Sequence, residues 1–513
     1  MDRLYKLMHS LTPQQVKVLR SYLTSFSTRD GNTKFWELAE FVLKSKNGAP
    51  SIEECSGKIY KALPDSRIDK LKNRVYDKVL DSLLIDINTS RNDYEDELQP
   101  IQIKLRKKMI LWDLLKQTPL RETAGLEMVK DIITTARQYE LYPILLDALY
   151  ILKRNYGLRK GMDFFEKMNR EIEVAEKGKQ HAQRALDLYV QLGQVSTFDT
   201  KADIVRLKDF LWKCIEELRQ YSVDTGVKSV LYFLKVFEMS FQQLEKQYEE
   251  AKATAFSILT LLKEHKVLNR RGRFGVTYTH IAEFEIFLGN YDSALEYLRM
   301  AREYIAGSQI NLAINKKLEV DVLFLKGDYT KAKELIEELS LQSANVTGDF
   351  RRDIYLYYKG CCQFMLGEIR DAARLLNQNF VITKDKLGWD VNIRFMRILV
   401  MVERDKPDEA ALMVMSLAKH IQRYQQSKAL NERDKMLMSL FRALQTEGFA
   451  FHRPGENAYR LLLLLKEHGK PHSWEPLSPE LIQIHNWIIR KYKHFLPPHS
   501  DEKRAMRGSK EEE

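Results

Sequence analysis

The sequence predicts an all-α protein in which a small N-terminal helical bundle precedes an α-solenoid of stacked helix hairpins. Three observations predict this. Apolar residues recur at helical spacing along most of the chain, with no run of strict apolar–polar alternation that would argue for a sheet. Glycine and proline, 22 and 13 residues, are too scarce among 513 for a loop-rich β protein. A short phrase built on glycine, tyrosine and alanine recurs about every forty residues.

The N-terminal element, residues 1–87, opens at Thr12-Pro13, where threonine can cap a helix start and proline suits the first helical position. Val16, Leu19, Tyr22 and Leu23 follow at helical spacing. A second helix is expected over Phe35 to Leu43, and a third from Ser51, with Glu54 placed for a capping box. A longer one runs from about Asp65 to Ile87, striped by Ile68, Leu71, Val75, Val79 and Leu83. The polar, acidic stretch 88–100 ending in proline reads as a linker. Degenerate hairpins are expected over 101–225. A C-terminal block over 426–496 ends in a helix from Ser478-Pro479, with Leu481, Ile484, Ile488, Tyr492 and Phe495 on one face. The charged tail 497–513 reads as disordered.

The repeat occupies 226–425. Its clear copies are Leu288-Gly289-Asn290-Tyr291-Asp292-Ser293-Ala294, Lys326-Gly327-Asp328-Tyr329-Thr330-Lys331-Ala332 and Leu366-Gly367-Glu368-Ile369-Arg370-Asp371-Ala372. Weaker copies carry Tyr248 and Ala251 before, and Asp405, Pro407 and Ala410 after. Glycine can take the left-handed conformation that closes a helix, and a following Asn or Asp can cap the next one. Tyrosine would anchor the turn between helices, and alanine lets the second helix approach the first.

These phrases resemble tetratricopeptide repeats. In that family apolar residues stand four and seven places after the alanine. Here they are Ala255, Leu298, Ile336, Leu376 and Val414, then Ile258, Ala301, Leu339, Asn379 and Leu417. Asn379 departs from the pattern, as do Met239, Val320 and Ile398 from the small residue twelve places before the alanine, which Ala282 and Gly360 meet. Intervals of 38–43 residues between the alanines exceed the family's usual 34. The resemblance implies a right-handed solenoid whose first helices line a concave face that holds a protein or peptide. Transferred residue by residue, the inward positions are Val276, Thr279 and Glu283, then Lys317, Asp321 and Phe324. Next come Tyr357, Cys361 and Phe364, then Asn392, Phe395 and Leu399. Asp321 stands where the family's clamp for C-terminal carboxylates has asparagine. The N-terminal segments Leu4–Thr12 and Leu71–Tyr76 resemble uncharacterised helical-repeat proteins common in Bacteroidota.

Composition narrows the function classes. Eighty-two basic against 71 acidic residues give +11, a modest excess for this length. The first 100 residues balance at 16 basic and 15 acidic, which argues against a nucleic-acid arm. Short basic clusters, Lys104, Arg106, Lys107, Lys108 and Arg270, Arg271, Arg273, read as solvated faces. Cys55, Cys214, Cys361 and Cys362 form no C-x-x-C pair, the N-terminus lacks an apolar signal core, and no apolar run spans a membrane; a cytoplasmic location is the expectation. Phosphate-loop, dinucleotide and hydrolase motifs are absent, and His468 and His472 are separated by Gly469 and Pro471. The expectation is a scaffold or adaptor that binds a protein or peptide, with no catalysis, cofactor or metal. The alternative is a peptide-sensing regulator whose N-terminal bundle is the effector, in one version through DNA.

Overall fold

The computed structural model describes residues 1–25, 34–45, 48–61, 67–85, 98–157, 159–195, 201–343, 349–424, 430–452 and 454–492. The chain divides into two units, Met1–Tyr94 and Glu95–Glu513. All regular structure among the described residues is helical. The tail 497–513 and most of the 88–100 linker lie outside them, as does Phe495.

The first unit is a bundle of α1 (Asp2–His9), α2 (Pro13–Ser25), α3 (Lys34–Lys44), α4 (Ile52–Tyr60) and α5 (Arg67–Ile85). Its core joins Leu4, Met8, Leu19, Leu23, Leu38, Val42, Ile59, Leu71, Val75 and Val79. Both helix starts read from the sequence are capped. The Glu54 N–H donates to Ser51 Oγ at 3.1 Å while Ser51 N–H donates to Glu54 at 2.7 Å. Thr12 and Gln15 make the same reciprocal pair.

The second unit begins with α6 (Leu98–Leu115), α7 (Ala124–Gln138), α8 (Tyr142–Tyr156), α9 (Met162–Val195) and α10 (Lys201–Thr225). Six hairpins follow: α11 (Lys228–Leu244) with α12 (Tyr248–Glu264), α13 (Arg271–Phe287) with α14 (Tyr291–Ile305), and α15 (Gln309–Leu325) with α16 (Tyr329–Ser343). Then come α17 (Asp349–Met365) with α18 (Ile369–Leu376), α19 (Trp389–Glu403) with α20 (Pro407–Tyr424), and α21 (Glu432–Thr446) with α22 (Glu456–Leu465). A last helix, α23 (Ile484–Lys491), closes the described chain. Each helix packs on its sequence neighbour, the arrangement of an α-solenoid.

One turn recurs in backbone form. Gly289, Gly327 and Gly367 have φ of 81°, 80° and 79°. At each, the following amide reaches back five residues and the glycine amide reaches back three. Asn290 N–H donates to Glu285 O at 2.8 Å and Gly289 N–H to Ile286 O at 3.1 Å. This pairing satisfies the carbonyls at a helix end. Lys246, Asp405 and Glu140 hold the same position with φ of 60°, 56° and 51° and make the same paired bonds. The turn therefore also joins α7 to α8, where the phrase is not readable in the residues.

The alanines behave as spacers. Ala251, Ala294, Ala332, Ala372 and Ala410 are fully buried, as are Ala255, Leu298, Ile336, Leu376 and Val414 one turn later. Ile258, Ala301, Leu339 and Leu417 are buried, whereas Asn379 is exposed because α18 stops at Leu376, three residues short of it. Gly360 is required by proximity: a Cβ there would lie 2.9 Å from Leu376 Cγ. Two expectations need correction. Asn290 does not cap α14, since its amide donates to Glu285 instead. The last helix does not start at Ser478-Pro479, because residues 466–483 run irregularly before α23.

Candidate functional site

The inner face of the solenoid is open along its middle hairpins. A cleft of about 500 Å³ lies between α13, α15 and α17, lined by Val276, Thr279, His280, Glu283, Ile314, Lys317, Leu318, Ile354 and Tyr355. A second, also about 500 Å³, adjoins it between α9, α10, α11 and α13, with Tyr189, Leu192, Leu211, Val236 and Met239 on its walls. Val276 and His280 belong to both, so the two form one groove. These linings face inward because i, i+3 and i+4 positions share one side of a helix.

The groove is mainly apolar, and its charged groups are already engaged. Gln243 Nε2 donates to Glu283 at 3.0 Å, and His280 Nδ1 lies 3.4 Å from its other oxygen. Lys317 Nζ sits 2.7 Å from the buried Asp321 carboxylate and 5.3 Å above the Tyr358 ring. Burial pulls the Lys317 ammonium down, but Asp321 and Tyr358 together outweigh it and the net shift is upward. Burial raises the Asp321 carboxyl, and Lys317 only partly offsets that.

Past α17 the inner face is covered by the chain itself. Beyond α22 the chain runs back along the hairpins. Glu475 pairs with Lys246 at the α11–α12 turn. Leu477 packs against the cluster of Ala282, Leu298, Leu318 and Val322. Tyr357 donates its hydroxyl to Pro479 O at 3.0 Å. Glu480 accepts from Arg433 Nη2 of α21 at 2.8 Å, and Arg433 also reaches His472 O and His485 Nδ1, each at 3.0 Å. In α23, Trp487 meets the Phe364 ring at 5.7 Å, and Lys491 pairs with Glu403 at 2.6 Å.

This covering decides where the expected groove residues stand. Glu283 and Lys317 line the open cleft, along with Val276 and Thr279. Asp321 lies beneath it, 1% exposed. Phe324, Tyr357, Phe364, Asn392 and Phe395 are buried, so none offers a free contact surface here. Tyr357 and Phe364 lie under the C-terminal segment and α23, and Phe395 stacks on Phe441 at 5.1 Å. Transfer by position missed His280, Ile314, Leu318, Ile354, Tyr355 and Leu477 among others; Ile314 and Ile354 could have been found one helical turn from Lys317 and Tyr357.

Two other sequence features have structural employment. Lys108 pairs with Asp131, Arg271 donates to Glu303 O at 2.6 Å, and Arg273 stacks 4.3 Å over Tyr232. All four cysteines are buried. Among the described residues no cluster of His, Cys, Asp and Glu could hold a metal ion, and no helix is long and apolar enough to cross a membrane.

No protein-family model matches the chain, and no curated protein does. Solved structures match it at low similarity. The apo form of RapI gives a TM-score of 0.41 at 14% identity, over 64% of this chain and 87% of that one. A Rap protein complexed with competence and sporulation factor gives 0.41 at 13%, over 69% and 90%. A signal transduction ATPase with a tetratricopeptide repeat sensor from Pyrococcus horikoshii gives 0.38 at 12%, over 82% and 64%. Residue roles do not transfer at these values, so the assignment rests on the chain's own hairpins, turns and spacer alanines. By those features the chain is a tetratricopeptide-like α-solenoid.

Proposed function

We propose that the chain is a non-catalytic interaction adaptor that holds a segment of a protein partner in the groove between α9 and α17. The observation that carries this reading is the continuous pair of clefts, apolar in lining, with Glu283 and Lys317 at fixed places. Apolar walls with a few oriented polar groups suit an extended or helical peptide better than a flat surface does. The engagement of Glu283 and Lys317 with Gln243 and Asp321, and the burial of every cysteine, support binding over catalysis.

Thr279→Trp tests the reading, because the new ring would fill the cleft from the half-buried inner side of α13. Affinity capture from the native lysate, with nuclease present, should recover a protein partner with the wild type. The variant should lose it by about tenfold or more, the effect of removing a central contact, while its melting temperature is unchanged. Equal recovery by both proteins would place binding outside the groove.

A further inference from the structure

Residues 471–482 lie on the same inner face as the groove, in irregular turns and bends, and cross from the α11–α12 turn to α21. Three prolines, Pro471, Pro476 and Pro479, stiffen the run and remove backbone donors. Its side chains are seated in order: Glu475 on Lys246, Leu477 at the edge of the cleft beside Leu318, and Glu480 on Arg433.

The ends and the middle of the run are held very differently. Glu480 and Arg433 are buried; Arg433 has His472 O and His485 Nδ1 as further partners, and Glu480 accepts the Ile484 N–H. Glu475 and Lys246 keep about half their side-chain exposure, 45% and 57%, and such pairs hold weakly. Between them Leu477 sits at φ of 63°, a conformation branched and bulky residues avoid. The Ser478 hydroxyl is buried without a hydrogen-bond partner. Both ends are therefore clamped on Arg433, at His472 and Glu480, and the middle is seated with an exposed ion pair, a strained residue and an unpaired hydroxyl.

We infer that residues 471–482 are a tethered occupant of the groove, and that the partner segment which replaces them is a non-helical peptide with a carboxylate two residues before a leucine-sized apolar side chain. The inference rests on the groove reading above. Charge and shape complementarity argue it: Lys246 takes the carboxylate, and the apolar wall formed by Leu318 and Ile354 takes the side chain. Release is an outward swing of 473–478 between the fixed His472 and Glu480, so the partner need not break the buried Arg433 cluster.

The probe is a fluorescent peptide of the chain's own sequence, PHSWEPLSPEL, titrated by polarisation against the full chain and against Glu475→Ala/Leu477→Ser. Both positions are half-buried, and circular dichroism checks that the variant stays folded. A tethered competitor acts at an effective concentration on the order of mM, and apparent affinity falls with the fraction of open groove. The opened variant should therefore bind the peptide at least about tenfold more tightly than the wild type. Adding Lys246→Glu should abolish that gain, and peptide added to the wild type should raise hydrogen exchange over 472–479. Equal affinity for both proteins, or no binding to either, overturns the inference. If Thr279→Trp still costs the captured partner, the groove reading survives that failure. A concentration-dependent dimer of the wild type, broken by Glu475→Ala/Leu477→Ser, would also overturn it, since a second copy's segment would then be the occupant.

Discussion

Gly275 sits in the inner helix α13 where it crosses α14, and Gly275→Ala should be destabilising although alanine is the better helix former. An added Cβ would lie 2.2 Å from Ile305 Cγ2 and 3.1 Å from both Ala301 O and Tyr304 Cβ. Ordinary contact begins near 3.4 Å. The Ile305 methyl would have to retreat by more than 1 Å, yet Ile305 is 2% exposed and a β-branched side chain in a helix is confined to one rotamer. Overpacking of this severity costs about 3 kcal/mol, and the gain in helix propensity returns about 1 kcal/mol. The net is a loss of about 2 kcal/mol. Gly272→Ala, in the same helix with nothing within 4 Å, should be neutral or stabilising. Ile305→Ala alone should cost about 3 kcal/mol, but in its presence Gly275→Ala should no longer hurt, giving a favourable coupling of about 3 kcal/mol. A repeat array need not melt in two states, so hydrogen exchange of the α13–α14 amides is the proper measure. A Gly275→Ala variant as benign as Gly272→Ala, or costs that simply add, would refute the close-approach reasoning.

Two further predictions concern other hairpins. Burial pushes the Asp434 carboxyl up to about 7, with Glu480 adding to it, and pulls the His485 imidazole down to about 3, with Arg433 adding to it. Stability from protonated Asp434 is present below its unfolded value of 3.8 and is lost as the pH rises to about 7. That from neutral His485 is present above 6.5 and is lost as the pH falls towards 3. The two oppose each other in the acidic range, so Asp434→Asn should make the melting temperature fall more steeply on acidification and raise it at pH 8; a profile parallel to the wild type would contradict this. Tyr329 is half-buried, edge-on to Phe324 at 4.9 Å, so Tyr329→Ala should cost about 1–2 kcal/mol rather than the 3–5 of a fully buried aromatic, read as local exchange in α15 and α16.

The solenoid was legible where one residue type alone meets a local demand. Ala251, Ala294, Ala332, Ala372 and Ala410 mark the points where two helices touch, and a larger side chain at any of them would push the pair apart. The glycine signal faded where Lys246, Asp405 and Glu140 adopt the left-handed turn despite their side chains, because the paired backbone hydrogen bonds hold the turn. The open part of the groove was partly legible, through Glu283 and Lys317. Its covered part was not, since that depends on contacts such as Tyr357 with Pro479 and Lys246 with Glu475, 122 and 229 residues apart in sequence. Ser478-Pro479 carries the signature of a helix start, yet α23 begins where Glu480, fixed by Arg433, accepts the Ile484 N–H at 3.0 Å.

The covering of Phe364 by Trp487 also has a consequence in time. The ribosome adds 123 residues between the two, the difference of their positions in the chain. At about 5–20 residues per second, Phe364 waits roughly 6 to 25 s for its cover, long enough for the intervening helices to form and dock. Throughout that interval the growing array presents an uncapped aromatic surface to solvent or to a chaperone. Synonymous changes that slow translation between codons 365 and 487 should therefore lower soluble yield without altering the finished protein.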